Sequence, residues 1–114
     1  MQEDVVFKRC DGELVASIKC EIDHHTAKRM REKIDREIFL TRPECLVLDF
    51  SAVRFMDSSG LGLILGRVEV ASASRATVRL TGLSPTLMKL VRLAGLERVK
   101  NLTVSRTGET EVKK

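Results

Sequence analysis

The chain has 114 residues, a length typical of one compact domain. Its 20 basic and 16 acidic side chains give a net charge of +4 and are interleaved, so the charge does not indicate a nucleic-acid partner. Trp and Tyr are absent from the sequence, and its four Phe offer few surfaces on which unpaired bases could stack. We therefore expect a protein that does not bind nucleic acid directly.

The sequence carries no sign of export, membrane insertion or metal binding. No apolar run is long enough for a bilayer-spanning helix, and acids occupy the start of the chain where a signal peptide needs basic residues. The cysteines are widely spaced and form no CxxC pair, which argues against zinc and redox motifs. We expect a cytoplasmic protein with no membrane partner, metal or cofactor. Its thiols are expected to be reduced and largely buried: Cys10, Cys20 and Cys45.

Two strands joined by a tight turn are predicted at the start of the chain. Residues 4–9 and 13–20 have the apolar composition of strands, and the second run alternates with a period of two. Asp11 and Gly12 lie between them and tolerate the positive φ angles of a tight hairpin turn. The chain is therefore expected to open with a β-hairpin.

A helix is predicted over residues 24–39, with Asp23 placed as its N-cap. Its apolar residues recur at the spacing of a buried helix face: Ala27, Met30, Ile34 and Ile38. The opposite face mixes charges of both signs, such as Arg31 and Asp35 four positions apart. That mixture indicates a solvated face rather than a nucleic-acid patch.

The middle of the chain predicts a central strand and a second helix. Residues 45–50 are almost continuously apolar, as in a strand covered on both faces. Leu63 and Val70 of the following helix, residues 59–73, predict an exposed apolar strip suited to protein contacts. The residues expected to face the sheet are Ile64, Leu65, Val68 and Ala71 or Ser72.

The last third of the chain predicts two more strands around a third helix. Residues 76–80 and 102–106 have strand-like composition. Ser84 and Pro85 are typical of a helix start, and Gly95 is typical of the position just after a helix end.

The order of these elements defines the expected fold class. After the hairpin, strands alternate with helices, which calls for one α/β domain with a mostly parallel or mixed sheet of about four to five strands and helices packed against it. The core is expected over residues 5–105, with a frayed polar tail over residues 107–114. In such sheets binding sites lie where strands end and helices begin, here residues 21–25 and 54–60.

The sequence FMDSSGLG, residues 55–62, follows the central strand and opens the second helix. Asp57 or Ser58 can cap that helix, because either side chain can accept a hydrogen bond from a first-turn amide. The partial positive charge of a helix start also suits a phosphate on Ser58, which it stabilises by about 0.3–1 kcal/mol. From these residues alone, a plain capped turn and a phosphorylation site are both open.

Other residues of the two loops also allow a structural and a functional interpretation. Gly60 and Gly62 weaken a helix by up to about 1 kcal/mol each relative to alanine, which indicates close approach by the protein's own strand or by a partner. Asp23 is either a cap alone or a cap that also offers its carboxylate to a basic residue of a partner.

A catalytic role for the serines has little support. The motif matches neither the GxSxG nucleophile elbow nor the GxxxxGK[ST] phosphate-binding loop. His24 and His25 are the only histidines of the sequence; they are expected to point to different sides of a helix start and lack the spacing of metal ligands. A serine hydrolase that uses Ser58 with one of these histidines is one alternative that stays open.

Three stretches of the chain resemble the STAS domain family, and within it the bacterial anti-sigma-factor antagonists of the sporulation and stress-response type. They are CEIDHHTAKRMREKID at residues 20–35, LVLDFSAVRFMDSSGLGLILGR at residues 46–67 and LSPTLMKLVRLAGL at residues 83–96. With the strands between them, the resemblance extends over about residues 5–105, and DSSGLG is its most specific part.

The resemblance implies a protein that switches partners and is not an enzyme. In this family the unphosphorylated antagonist binds an anti-sigma factor, which is also a serine kinase of the histidine-kinase-like ATPase type, and so frees the sigma factor. The kinase phosphorylates the first serine after the aspartate, here Ser58; the phosphorylated form lets go, and a PP2C-type serine phosphatase resets it. By the same matching, the partner-binding residues are Asp23, Asp57, Ser58, Ser59, Gly60, Leu61 and Gly62.

The chain departs from the family pattern at two places. Cys20 stands where the family usually has Gly, so its side chain either alters the partner surface or packs inward. Family members commonly end in an amphipathic helix, whereas GETEVKK at residues 108–114 is short and polar, which leaves the oligomeric state open. The resemblance also allows a STAS module of a stress-signalling or transport-associated complex, in which Ser58 has only a structural role.

Overall fold

The computed structural model describes residues 3–105, so the tail predicted over residues 107–114 lies outside the described residues. In the described part of the chain, strands and helices follow the predicted order. They are β1 (Val5–Cys10), β2 (Glu13–Ile18), α1 (His24–Thr41), β3 (Cys45–Asp49), α2 (Ser58–Ala73), β4 (Thr77–Thr81), α3 (Pro85–Leu93), a 3₁₀ helix (Leu96–Arg98) and β5 (Leu102–Val104). The short 3₁₀ helix is the element that the sequence pattern did not predict.

The strands form one five-stranded sheet in the order β1-β2-β3-β4-β5. β1 pairs antiparallel with β2, and each later pair of neighbours is parallel. The predicted α/β fold with a mixed sheet and an opening hairpin is therefore confirmed. Because β2 to β5 lie side by side in chain order, right-handed crossovers place all three connecting helices on the same face.

The hairpin turn has the predicted residues and geometry. Cys10 and Glu13 are paired at the ends of the two strands, which leaves Asp11 and Gly12 as the turn. Their φ angles are 46° and 82°, the positive values that a two-residue hairpin turn of this type requires. Glycine adopts this angle freely because it has no side chain beyond Cα.

The hydrophobic core lies between the sheet and the helices. The strands contribute alternate residues, which point to one face and are buried: Leu14, Ala16, Ile18, Leu46, Leu48, Val78 and Leu80. The predicted stripe of α1 is confirmed, since Met30, Ile34 and Ile38 are buried and Ala27 is half-buried. Ser84 caps α3 through a hydrogen bond from the Leu87 amide, as predicted.

The buried face of α2 differs from the predicted stripe. Its buried apolar residues include Ile64, Val68 and Ala71, as predicted, but Leu65 is 41% exposed. The predicted exposed strip is also wrong, because Leu63 is buried and Val70 packs partly against the core. α2 contacts both α1 and β4. The side of α2 that faces α1 is therefore buried as well as the side that faces the sheet.

The cysteine prediction holds only in part. All three thiols are free, but Cys10 is exposed, and Cys20 and Cys45 are half-buried rather than buried. Cys10 is exposed because it ends the edge strand β1, next to the hairpin turn.

Candidate functional site

Two loops at the carboxyl ends of neighbouring parallel strands are joined by a short backbone bridge. Ile22, in the loop after β2, pairs in parallel with Met56, in the loop after β3. The Ile22 amide donates to the Phe55 carbonyl oxygen at 3.1 Å, and the Asp57 amide donates to the Ile22 carbonyl oxygen at 3.1 Å. The bridge holds the starts of α1 and α2 beside each other. This agrees with the expectation that both loops follow the carboxyl ends of strands in the same sheet.

Asp23 begins α1 as a complete capping box. Its Oδ1 accepts hydrogen bonds from the amides of His25 and Thr26 at 2.9 and 3.0 Å. The Asp23 amide in turn donates to Thr26 Oγ1 at 2.9 Å. These backbone hydrogen bonds, led by the one from Thr26, lower the pKa of the Asp23 carboxyl. Its predicted role as a cap is confirmed. Both amides donate to Oδ1 and neither donates to Oδ2.

Asp57 caps α2, and Ser58 is the first residue of that helix. Asp57 Oδ1 accepts a hydrogen bond from the Ser59 amide at 2.8 Å, which selects Asp57 over Ser58 as the cap. The Ser58 side chain is exposed, whereas Asp57 and Ser59 are half-buried. A phosphoryl group on Ser58 would therefore lie in solvent at the positive end of the α2 dipole.

The glycines after the serines have different surroundings. A methyl group on Gly60 would lie 2.6 Å from Met56 Sδ and 3.0 Å from Met56 Cβ, so Gly60 is required by packing within the protein. A methyl group on Gly62 would contact nothing within 4 Å. Leu61 is half-buried and packs partly against the core. Of the predicted partner-binding residues in this turn, Ser58 and Gly62 are the exposed ones.

The Cys20 side chain is half-buried and turns partly toward the core. It packs partly against the core, and its thiol donates to Asp4 Oδ1 at 3.6 Å. Burial, followed by the nearby Asp4 carboxylate, raises the pKa of this thiol. The Cys20 side chain therefore packs partly inward, and its remaining exposed part borders a surface depression that Asp23 also lines.

A buried ion pair between α1 and α2 was not predicted. Arg67 is 3% exposed, and its Nε lies 2.7 Å from Asp35 Oδ1. That contact has the distance of an ion pair but not the angles of a hydrogen bond, and the Nη2–Oδ2 hydrogen bond is long at 3.3 Å. Sequence spacing had suggested Arg31 as the partner of Asp35. The signal for Arg67 was its position as the one charged residue within residues 58–68.

The two histidines do not form a catalytic pair with the serine. Their rings contact each other edge to face with 5.8 Å between centroids, rather than pointing to different sides as expected. Within residues 3–105, no hydrogen bond joins the Ser58 hydroxyl to either ring, and no group of three metal-binding side chains lies together. No helix in that part of the chain is long and apolar enough to cross a bilayer.

Comparison with known proteins matches this fold and sequence to one family. The STAS domain model matches residues 4–110. An anti-sigma F factor antagonist from Paenibacillus polymyxa is 33% identical over 88 residues, which are 77% of this chain and 75% of the relative.

Two solved structures of an anti-sigma factor antagonist are also similar. SpoIIAA in its unphosphorylated form has a TM-score of 0.76 and 28% identity, over 95% of this chain and 92% of that one. The Bacillus cell fate determinant SpoIIAA in the phosphorylated form has a TM-score of 0.68 and 28% identity, over 95% and 96% of the two chains. The chain described here belongs to the STAS domain family, and within it to the anti-sigma-factor antagonists. That group is a class of regulatory proteins rather than of enzymes.

Proposed function

We propose that this protein is a phosphorylation-controlled switch of sigma-factor activity in the cytoplasm. In its unphosphorylated form it binds an anti-sigma factor that is also a serine kinase, and the sigma factor is released. Phosphorylation of Ser58 ends that binding. A PP2C-type serine phosphatase then restores the binding form.

The observation that carries this proposal is the position of Ser58. Its hydroxyl is exposed at the start of α2, where a kinase can reach it, and the backbone bridge keeps the Asp23 loop beside it. A partner that covers this edge would contact both loops at once. The relatives support the same interpretation, because one of them has been solved in unphosphorylated and phosphorylated forms.

The switch chemistry needs no catalytic group from this chain. The kinase transfers the γ-phosphoryl group of ATP to Ser58 Oγ, which loses its proton, and ADP is released. The phosphatase uses water to cleave the O–P bond and releases inorganic phosphate, which returns the hydroxyl. The antagonist supplies only the exposed serine and the surface around it.

The energy of the switch is consistent with the site. Phosphorylation adds a charge of about −1.5 to −2, and the start of α2 offsets part of it, so the domain stays folded. In an interface the same group must lose water without a prepared partner. A hundredfold loss of affinity requires about 2.8 kcal/mol, which is within the range of one desolvated, unpaired polar group.

Intact-mass measurement tests the modification directly. The protein is incubated with ATP and an anti-sigma kinase from the same genome, beside the variants Ser58→Ala and Ser59→Ala. We expect one phosphate on the wild type and on Ser59→Ala, and none on Ser58→Ala. An unmodified wild type, with a kinase active on another substrate, would instead indicate a STAS module of a different assembly.

A further inference from the structure

Two glycines of α2 have no role in the packing of the domain. Gly62 and Gly66 lie four positions apart on α2, and a methyl group added to either would contact nothing within 4 Å. Glycine destabilises a helix interior relative to alanine, so the fold alone would favour alanine at both positions. Gly60 differs, because Met56 fills the space beside it. Packing within this domain therefore does not explain Gly62 and Gly66, and close approach by another molecule would explain them.

That space is a groove between α1 and α2. It has a volume of about 410 Å³, and Ser59, the neighbour of the candidate phosphorylation site, lines it. Lys28 and Arg31 of α1 also line it, and both are exposed. Among the described residues that line the groove there are cationic side chains but no acidic one. An occupant that matches this charge is an anion.

Arg67 gives the groove a second cationic feature. Arg67 is one of the residues that line the groove, although it is only 3% exposed. Its hydrogen bonds are long, 3.3 Å to Asp35 Oδ2 and 3.4 Å to the Leu63 carbonyl oxygen, and its Nε lies 2.7 Å from Asp35 Oδ1, at ion-pair distance but without hydrogen-bond angles. Burial lowers its pKa, and Asp35 opposes that shift only in part. A further anion in the groove would therefore stabilise this buried charge.

We propose that the groove between α1 and α2 receives an acidic segment of the anti-sigma factor. Gly62 and Gly66 let the backbone of that segment approach α2 closely, and the exposed Lys28 and Arg31 pair with its carboxylates. Arg67, which is already paired with Asp35, adds positive charge from the wall of the groove. The inference rests on the proposed function and extends its interface from Ser58 along α2 to Gly66. A protein segment fits better than nucleic acid, because no aromatic side chain able to stack on bases lies among the described lining residues apart from His24.

The first test separates binding from folding. Gly66→Ala adds one methyl group at a site where the domain has room for it, so we expect an unfolding temperature equal to or a few degrees above that of the wild type. The same methyl group would meet the docked segment, and the affinity for the anti-sigma factor, measured by calorimetry, is expected to fall about tenfold. Leu65→Ala, at an exposed position of α2 outside the groove, is expected to bind like the wild type.

The second test addresses the charge of the occupant. Lys28→Glu reverses a charge in the groove, and we expect it to weaken binding at least about tenfold at low salt. Arg36→Glu is the matched control, because it makes the same change in net charge at an exposed position of α1 outside the groove. The two variants are expected to differ strongly in affinity for the anti-sigma factor. Hydrogen exchange in the wild-type complex is expected to protect residues 62–66.

The outcomes distinguish this inference from the function on which it rests. If the wild type binds and phosphorylation releases it, but Gly66→Ala and Lys28→Glu bind equally well, the groove is not the docking site. If Lys28→Glu loses binding to a single-stranded oligonucleotide but not to the anti-sigma factor, the groove serves nucleic acid and the inference is wrong. If the wild type does not bind the anti-sigma factor at all, both proposals fall together.

Discussion

The backbone amide of Asp57 donates a 3.1 Å hydrogen bond to the carbonyl oxygen of Ile22. Each residue precedes a key position of the candidate site, since Ile22 leads into Asp23 and Asp57 leads into Ser58. The two loops therefore form one surface held by the backbone rather than two neighbouring loops. A change in either loop is expected to affect both the stability of the domain and the presentation of Ser58.

Asp23 offers a separation of its two predicted roles. Asp23→Ala removes the cap and is expected to lower the free energy of unfolding by about 1 kcal/mol, because two first-turn amides lose their acceptor. Asp23→Asn keeps an oxygen in place and should stay close to wild-type stability. If the carboxylate contacts a basic partner residue, Asp23→Asn binds the anti-sigma factor more weakly although it is stable. Equal affinity of Asp23→Asn and wild type would leave Asp23 as a cap alone.

Gly60 and Gly62 are expected to respond in opposite ways to alanine. Gly60→Ala forces a methyl group against Met56, and we expect it to destabilise the domain by about 1–3 kcal/mol. Gly62→Ala meets no atom of the domain and should raise stability by up to about 1 kcal/mol through helix propensity. Urea unfolding of the two variants measures this difference. Similar losses of stability in both would contradict the assigned packing.

The ion pair between Arg67 and Asp35 is expected to add little net stability to the domain. Removing only one of its partners is nevertheless expected to cost considerable stability. Asp35→Ala leaves the buried guanidinium without its counter-ion and should destabilise the domain by about 2 kcal/mol. Arg67→Met removes the charge while filling its space, so its loss should be smaller. Thermal unfolding of the two variants provides the comparison, and a larger loss for Arg67→Met would contradict this account.

The pair formed by Asp4 and Arg29 predicts a loss of stability in acid. The hydrogen bond from Arg29 Nε, 2.8 Å long, is the main cause of the lowered pKa of the Asp4 carboxyl. The unfolded chain therefore takes up the proton first, so the contribution is complete above about pH 4 and is lost as the pH falls through the lower folded-state pKa.

Because about half of the Arg29 side chain is exposed, screening by solvent keeps this contribution small. Denaturant unfolding of the wild type and Asp4→Asn between pH 6 and pH 2.5 measures it. The difference between the two proteins is expected to shrink toward the acid end. A constant difference over that range would exclude the linkage.

The three thiols are expected to react at different rates. Cys10 is exposed and should be modified first by a thiol-specific reagent near neutral pH. Cys20 is half-buried, and its pKa is raised by burial and by Asp4. A smaller fraction of the Cys20 side chains is therefore in the reactive thiolate form. Mass spectrometry of peptides after short reaction times gives the order. Faster labelling of Cys20 than of Cys10 would contradict the inward packing of that side chain.

The order of elements was predictable because each one carries a local signal. Asp11 and Gly12 determine the hairpin turn, and Asp23 and Ser84 begin helices through side-chain hydrogen bonds. Such signals depend on neighbours in the sequence, so they survive in the folded chain. The position of the two loops at the same end of the sheet was also predictable, because both follow strands of an alternating α/β fold.

The rotation of α2 was not predictable from periodicity. LGLILG, residues 61–66, is apolar or small at every position and gives no preferred face. Its contacts with α1 decide the matter by burying Leu63 and Arg67 and exposing Leu65. The groove between α1 and α2 was hidden for the same reason, because it depends on how two distant segments pack.

The affinity of the anti-sigma factor for the two phosphorylation states tests the central claim most directly. Calorimetric titration would compare the unphosphorylated protein with protein phosphorylated on Ser58 and confirmed by intact mass, at one salt concentration. We predict binding by the unphosphorylated form and an affinity at least about a hundredfold lower for the phosphorylated form. Equal affinities of the two forms would contradict the account.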